Sequence, residues 1–143
     1  MFGDMTPPAR VAPQHHFVEH GGEVEVELEA EDEAGIFAAA LDTFTELVAG
    51  NADGESMEIQ IGLRGRDRTL LLVDWLNELL FHAEVEQFVP RHITAIELED
   101  ETLQATVVGY RGTPRPLVKG VALNRLAFEQ EGGVWHGRVV FDV

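Results

Sequence analysis

A chain of 143 residues is the size of one ordinary domain, and its 45% hydrophobic content, close to the globular average, excludes wholesale disorder. It holds no cysteine, which excludes disulfides, thiolate metal sites and cysteine nucleophiles. Ten Lys+Arg against 26 Asp+Glu leave a formal charge of −16, and such a surface repels phosphate backbones, because nucleic acid is held largely by cations that displace counterions. Tight direct RNA or DNA binding is therefore not expected, whereas a basic protein partner or a divalent cation would be attracted.

Residues 1–14 carry three of the six prolines and no periodicity, which predicts a loose arm ahead of a domain spanning 15–143. The first ten residues show neither an apolar core nor a basic start of the kind that marks export, so a cytoplasmic location is the expectation. His15, His16 and His20 fit no single face of an element and read as no metal site. After Gly21 and Gly22 the stretch 23–31 alternates without a fault, a half-buried strand with Val24, Val26, Leu28 and Ala30 inward. Its Glu25, Glu27, Glu29 and Glu31 then form a solvated face. Asp32 is placed to cap a helix whose buried stripe is Ile36, Phe37, Ala40, Leu41, Phe44 and Val48, and the glycines at 50 and 54 end it. Alternation returns over 57–63, a second strand.

The longest apolar-periodic run covers 70–84. Leu72, Trp75, Leu76, Leu79, Leu80 and Ala83 share one helical face, with Thr69 as the expected N-cap. The run is too short and too often interrupted, by Asp74, Asn77 and Glu78, to cross a bilayer, and no membrane association is expected. Strands follow at 89–98 and 103–108, then a loop at 109–116 with two prolines. The stretches 117–128 and 134–143 read as a hairpin turning at Glu131, Gly132 and Gly133. This order predicts a single-domain α+β fold with two helices packed on a mixed, mainly antiparallel β-sheet.

No phosphate-binding loop, dinucleotide fingerprint or His-Glu-x-x-His motif is present, and the one serine, Ser56, lacks a triad context. Asp74, Glu78 and His82 stand four residues apart on one helical face, where they could hold a metal or move protons; the plainer account is the wet side of an amphipathic helix. A strand running to Asp142 and Val143 would hold the Asp142 side chain close to the Val143 carboxylate, the clustered oxygens that satisfy hard divalent cations.

These pieces resemble one family. Residues 71–81 closely resemble the "LLxxWLNELL(Y/F)" helix signature of the archeases, a specific motif. More loosely, 17–20 resembles the family's "LEHTAD" opening, 118–124 its "VKAVTYH" strand, and 133–143 its "xWxAxVxxDV" ending, so the likeness spans nearly the whole domain. Archeases are small acidic accessory proteins of the RtcB-type RNA ligase, which joins RNA ends using GTP and a divalent metal through a guanylylated histidine. The resemblance implies a non-catalytic activator that promotes ligase guanylylation and turnover in tRNA splicing or RNA repair. It implies a cation site (Ca²⁺, Mn²⁺ or Mg²⁺) on Glu23, Asp142 and Val143, with Lys119 as the residue active toward the ligase or nucleotide, and His20 and Asn124 as supporting neighbours. Glu23 falls where the family has Asp, and Ala122 and Asn124 fall where it has Thr and His, which marks a divergent, bacterial member. Glutamate moves the oxygens out by a methylene, a change that octahedral Mg²⁺ tolerates less well than Ca²⁺ or Mn²⁺. Two other function classes stay open: a chaperone-like binding module with a degenerate metal site, and a stand-alone metal enzyme on Asp74, Glu78 and His82, which no nucleophile supports.

Overall fold

The alternating and helical patterns become nine elements in the computed structural model, which describes residues 12–143. In chain order they are β1 (Gln14–His20), β2 (Glu23–Ala30), α1 (Glu33–Val48), β3 (Ser56–Arg64), α2 (Arg68–Glu86), β4 (Phe88–Leu98), β5 (Thr102–Arg111), β6 (Gly120–Glu131) and β7 (Val134–Asp142). Most of the arm expected at 1–14, residues 1–11, lies outside the described residues.

The expected α+β class with two helices on antiparallel sheet is what forms, and the strands divide into two sheets. One has the order β1-β2-β7-β6 and the other β3-β5-β4, and every pairing among the described strands is antiparallel. Both helices touch both sheets: α1 packs on β2 and β4, and α2 on β6 and β4. The core therefore fills the space between the helix pair and the inner faces of the sheets, with Val26, Leu28, Phe37, Phe44, Trp75, Leu76, Val107, Val139 and Phe141 in one continuous cluster.

The predicted stripes of both helices are buried, Leu80 only partly, while Asp74 and Asn77 face solvent. Trp75 is fully buried at the crossing of α2 with α1, where its indole N–H donates to the Phe37 carbonyl at 3.0 Å and its ring meets Phe37 edge-on at 6.1 Å. The caps follow the rule that a short side-chain oxygen satisfies the orphan N–H groups of a first turn. Asp32 does so for α1, accepting from Gly35 N at 2.7 Å. For α2 the cap is Asp67 rather than the expected Thr69: its carboxylate accepts from Thr69 N at 2.9 Å and Leu70 N at 3.3 Å, and Thr69 is already inside the helix. A carboxylate one residue before the helix outcompetes a hydroxyl one residue inside it.

Three strand boundaries differ from the expectation. β1 is a strand without an alternating sequence. β5 runs on through Gly109 and Tyr110, residues expected in a loop. β6 begins at Gly120 rather than 117 and loses register with β7 between Ala122 and Ala127, a bulge. The β6–β7 turn falls on Gly132 (φ 61°) and Gly133 (φ 81°), whose left-handed backbones suit the tight hairpin expected there.

Candidate functional site

The residues singled out from the sequence lie in widely separated segments, and the register of the four-stranded sheet aligns most of them. His20 pairs with Glu23 across the β1–β2 turn, whose Gly22 sits at φ 79°. Glu23 pairs with Asp142, and Asp142 with Gly120. One row at one end of the sheet thus reads His20, Glu23, Asp142, Gly120. Two backbone bonds close the corner: Lys119 N donates to the Asp142 carbonyl at 2.7 Å, and Val143 N donates to the Gly22 carbonyl at 3.2 Å.

Strand parity decides where the side chains go. Val24 and Phe141 pack with the core, so Glu23 and Asp142 project from the opposite, open face. Two carboxylates directly opposite one another repel, and the pair needs a positive neighbour. Arg125 supplies one. It stands in the β6 bulge with a left-handed backbone (φ 55°), and its Nη2 donates to Glu23 Oε1 at 3.0 Å while its Nε donates to Glu25 Oε1 at 3.1 Å. Hydrogen bonding to Glu23 raises the guanidinium pKa above its ordinary value, with Glu25 adding to the effect. Glu25 is consequently not the solvated residue expected; only 13% of its side chain is exposed. Glu27 and Glu31 are exposed as foreseen.

The donor chemistry of this corner fits a divalent cation in part. Glu23 and Asp142 offer hard oxygens side by side, and the Asp142 carboxylate has no hydrogen-bond or ion-pair partner among the described residues. The Glu23 oxygen, however, is shared with Arg125. No group of three or more His, Asp or Glu side chains converges on a common point among the described residues.

Lys119, the chain's one lysine, takes part in the corner through its backbone. Its exposed side chain lines a cleft of about 520 Å³ between the end of α2 and the loop before β6, with Val48, Leu80, Ala83, Arg115 and Val118. Asn124 is exposed in the bulge beside Arg125. On α2, His82 contacts Glu86 (2.8 Å) and Glu78 (3.6 Å), while Asp74 stands apart in solvent, so the expected row of three reduces to a local contact of His82 with two glutamates of its own helix. Likewise His15 contacts Glu46 on α1 at 2.6 Å while His16, its neighbour, is exposed, so these two histidines do not converge. Arg125 is the functional candidate that sequence reasoning missed. The only signal was the break in alternation around Asn124, since the residues it binds lie about a hundred positions away.

Two helices packed on antiparallel sheets of four and three strands, with a carboxylate pair at one sheet corner, define the class of small α+β domain to which the chain belongs. The fold is shared with the solution structure of protein 1598 of Methanobacterium thermoautotrophicum (TM-score 0.70, 23% identity, covering 90% of this chain and 98% of that one). It is shared too with the crystal structure of an archease, "possible chaperone", from Thermotoga maritima (TM-score 0.65, 21% identity, covering 88% and 94%). Among curated proteins, the chain is 28% identical over 140 residues to protein archease of Methanosarcina mazei, covering 91% of this chain and 96% of that protein. It is 31% identical over 115 residues to protein archease of Methanosarcina acetivorans, covering 73% and 78%. The model of the Archease protein family matches residues 15–143. The chain belongs to the archease family. No described helix is long and apolar enough to cross a membrane.

Proposed function

We propose that this archease is a non-catalytic, cytoplasmic accessory protein that activates a GTP-dependent RtcB-type RNA ligase, promoting its guanylylation and turnover in tRNA splicing or RNA repair. The observation that carries the reading is the Glu23–Asp142 register pair, which brings together two acidic positions, far apart in sequence, that the resemblance ties to cation binding. Glu23 and Asp142 would hold the divalent cation (Ca²⁺, Mn²⁺ or Mg²⁺), with Val143 anchored beside them and His20 next in the row. Bound there, a cation supplies positive charge for phosphate oxygens at the ligase surface. Lys119, one residue from that row and without a charge partner among the described residues, is left to reach the ligase or its nucleotide. A formal charge of −16 suits a protein that docks on a basic, RNA-binding partner and leaves the RNA to it.

The test is GTP-dependent guanylylation of the cognate ligase with and without this protein, under catalytic ligase metal. Faster guanylylation is expected; equal rates would overturn the reading. A second reading, a metal-free chaperone-like docking module, is favoured by the engagement of Glu23 with Arg125. Asp142→Ala separates the two: it abolishes activation on the first reading and leaves it intact on the second.

A further inference from the structure

We infer that the Arg125 guanidinium is the resident counter-ion of the Glu23–Asp142 corner and competes with divalent cations for the Glu23 carboxylate. The inference rests on the cation reading of that corner given above and adds the residue that controls it.

Three observations support it. First, the corner concentrates negative charge: Glu23 and Asp142 are directly opposite, and Glu25 follows Glu23 on the same face of β2. Positive charge among them offsets that repulsion, and among the described residues the Arg125 guanidinium forks between Glu23 and Glu25. Second, the backbone is shaped to deliver it. Arg125 belongs to β6, and β7 lies between β6 and β2. To bridge that distance the strand bulges between Ala122 and Ala127, and Arg125 takes a left-handed backbone that side-chain-bearing residues rarely adopt. Val140, the β7 residue paired with both Glu25 and Ala122, lies outside the main core cluster and is nevertheless fully buried, as expected of a residue covered by this crossing. Third, the fork is asymmetric. It takes Glu23 and Glu25 and leaves the Asp142 carboxylate without a partner among the described residues, so half of a cation site is kept open while the other half is held.

A divalent ion entering beside Asp142 therefore meets a guanidinium on the second carboxylate. Removing Arg125 frees the Glu23 oxygens and removes a repulsive charge. With a +2 ion about 5 Å from a +1 group in water, Coulomb's law puts the gain at about tenfold in affinity. Competition of this kind makes the corner answer to cation concentration: the guanidinium holds it at low concentration and yields at high.

The test titrates CaCl₂ or MnCl₂ into the full-length protein by calorimetry, comparing wild type with Arg125→Gly and Arg125→Gln. Glycine also accepts the left-handed backbone, so the first variant removes the guanidinium and relieves the strain together. Circular dichroism confirms the fold of each. The expected result is weak binding by wild type, about tenfold tighter binding by both variants, and loss of that gain when Asp142→Asn is added. Equal affinity in wild type and the Arg125 variants overturns the competition while leaving the cation reading standing. No binding by any of them overturns both.

Discussion

Trp75 joins the two helices, and replacing it with phenylalanine isolates what that junction is worth. The ring is fully buried, its N–H donates to the Phe37 carbonyl inside α1, and it packs edge-on against the Phe37 ring. Phenylalanine keeps an aromatic ring there but deletes two ring carbons and the N–H. At about 0.8 kcal/mol per buried carbon group and about 1 kcal/mol for the net hydrogen bond, the loss comes to about 2–3 kcal/mol. For a domain of this length each kcal/mol shifts Tm by about 3–4 °C, so a fall of roughly 6–12 °C is expected. Urea unfolding followed by circular dichroism measures it directly, and Trp135, the other tryptophan, remains as a fluorescence reporter. A separate double-mutant cycle of Trp75→Leu with Phe37→Leu tests the ring pair, whose coupling should be about 0.5–1.5 kcal/mol. A loss below about 1 kcal/mol with an unchanged denaturant slope would refute the view that the indole ties α2 to α1. Ligase activation by the folded variant should be unaltered, because this helix supports the site without forming it.

Other consequences are equally open to measurement. Asp32→Ala removes the side-chain acceptor at the start of α1 and should cost about 1 kcal/mol in a chemical melt. Hydrogen bonds from Thr69 and Leu70 hold the Asp67 carboxylate below its ordinary pKa, with burial opposing. A folded pKa below the unfolded one means a contribution that is complete above the unfolded value and lost as pH falls through the folded one. Asp67→Ala should therefore lower Tm at neutral pH and narrow the gap to wild type below about pH 4. Gly109→Ala would put a methyl 2.1 Å from the Val89 carbonyl oxygen, a backbone clash that should cost at least about 3 kcal/mol or prevent β4 from pairing with β5, visible as poor soluble yield. Association with the ligase should slow steeply as salt is added, as steered encounters do; rates independent of ionic strength would contradict docking on a basic surface.

The elements legible in the sequence are those whose signal is local. β2 alternates because one face meets the core and the other does not, and both helices carry their buried residues at helical spacing. β1 escaped because its inward residues include His15, which is satisfied by Glu46 instead of by apolar packing, so no alternation marks it. The division into two sheets was invisible for a different reason: local pattern identifies a strand but not its neighbour, and β2 pairs with β7 from the far end of the chain. The carboxylate corner was legible only through family resemblance, which aligned Glu23 and Asp142 without periodicity or spacing connecting them. Arg125 was legible by neither route, because its role depends on a bulge, a left-handed residue and a reach across an intervening strand.

The place of β7 between β2 and β6 also bears on how the protein is made. The β1–β2 hairpin and α1 emerge early in synthesis, yet β7, the strand that pairs with the other edge of β2, comes after every other element. The β6–β7 hairpin is local and quick to form, and it must then dock on an edge more than a hundred residues upstream, the slow, entropy-costly kind of closure. Until it docks, the acidic edge of β2 has neither Asp142 opposite nor Arg125 across it. A nascent or partly unfolded chain therefore lacks the corner altogether, and a partner that recognised the corner would engage only molecules whose folding is finished.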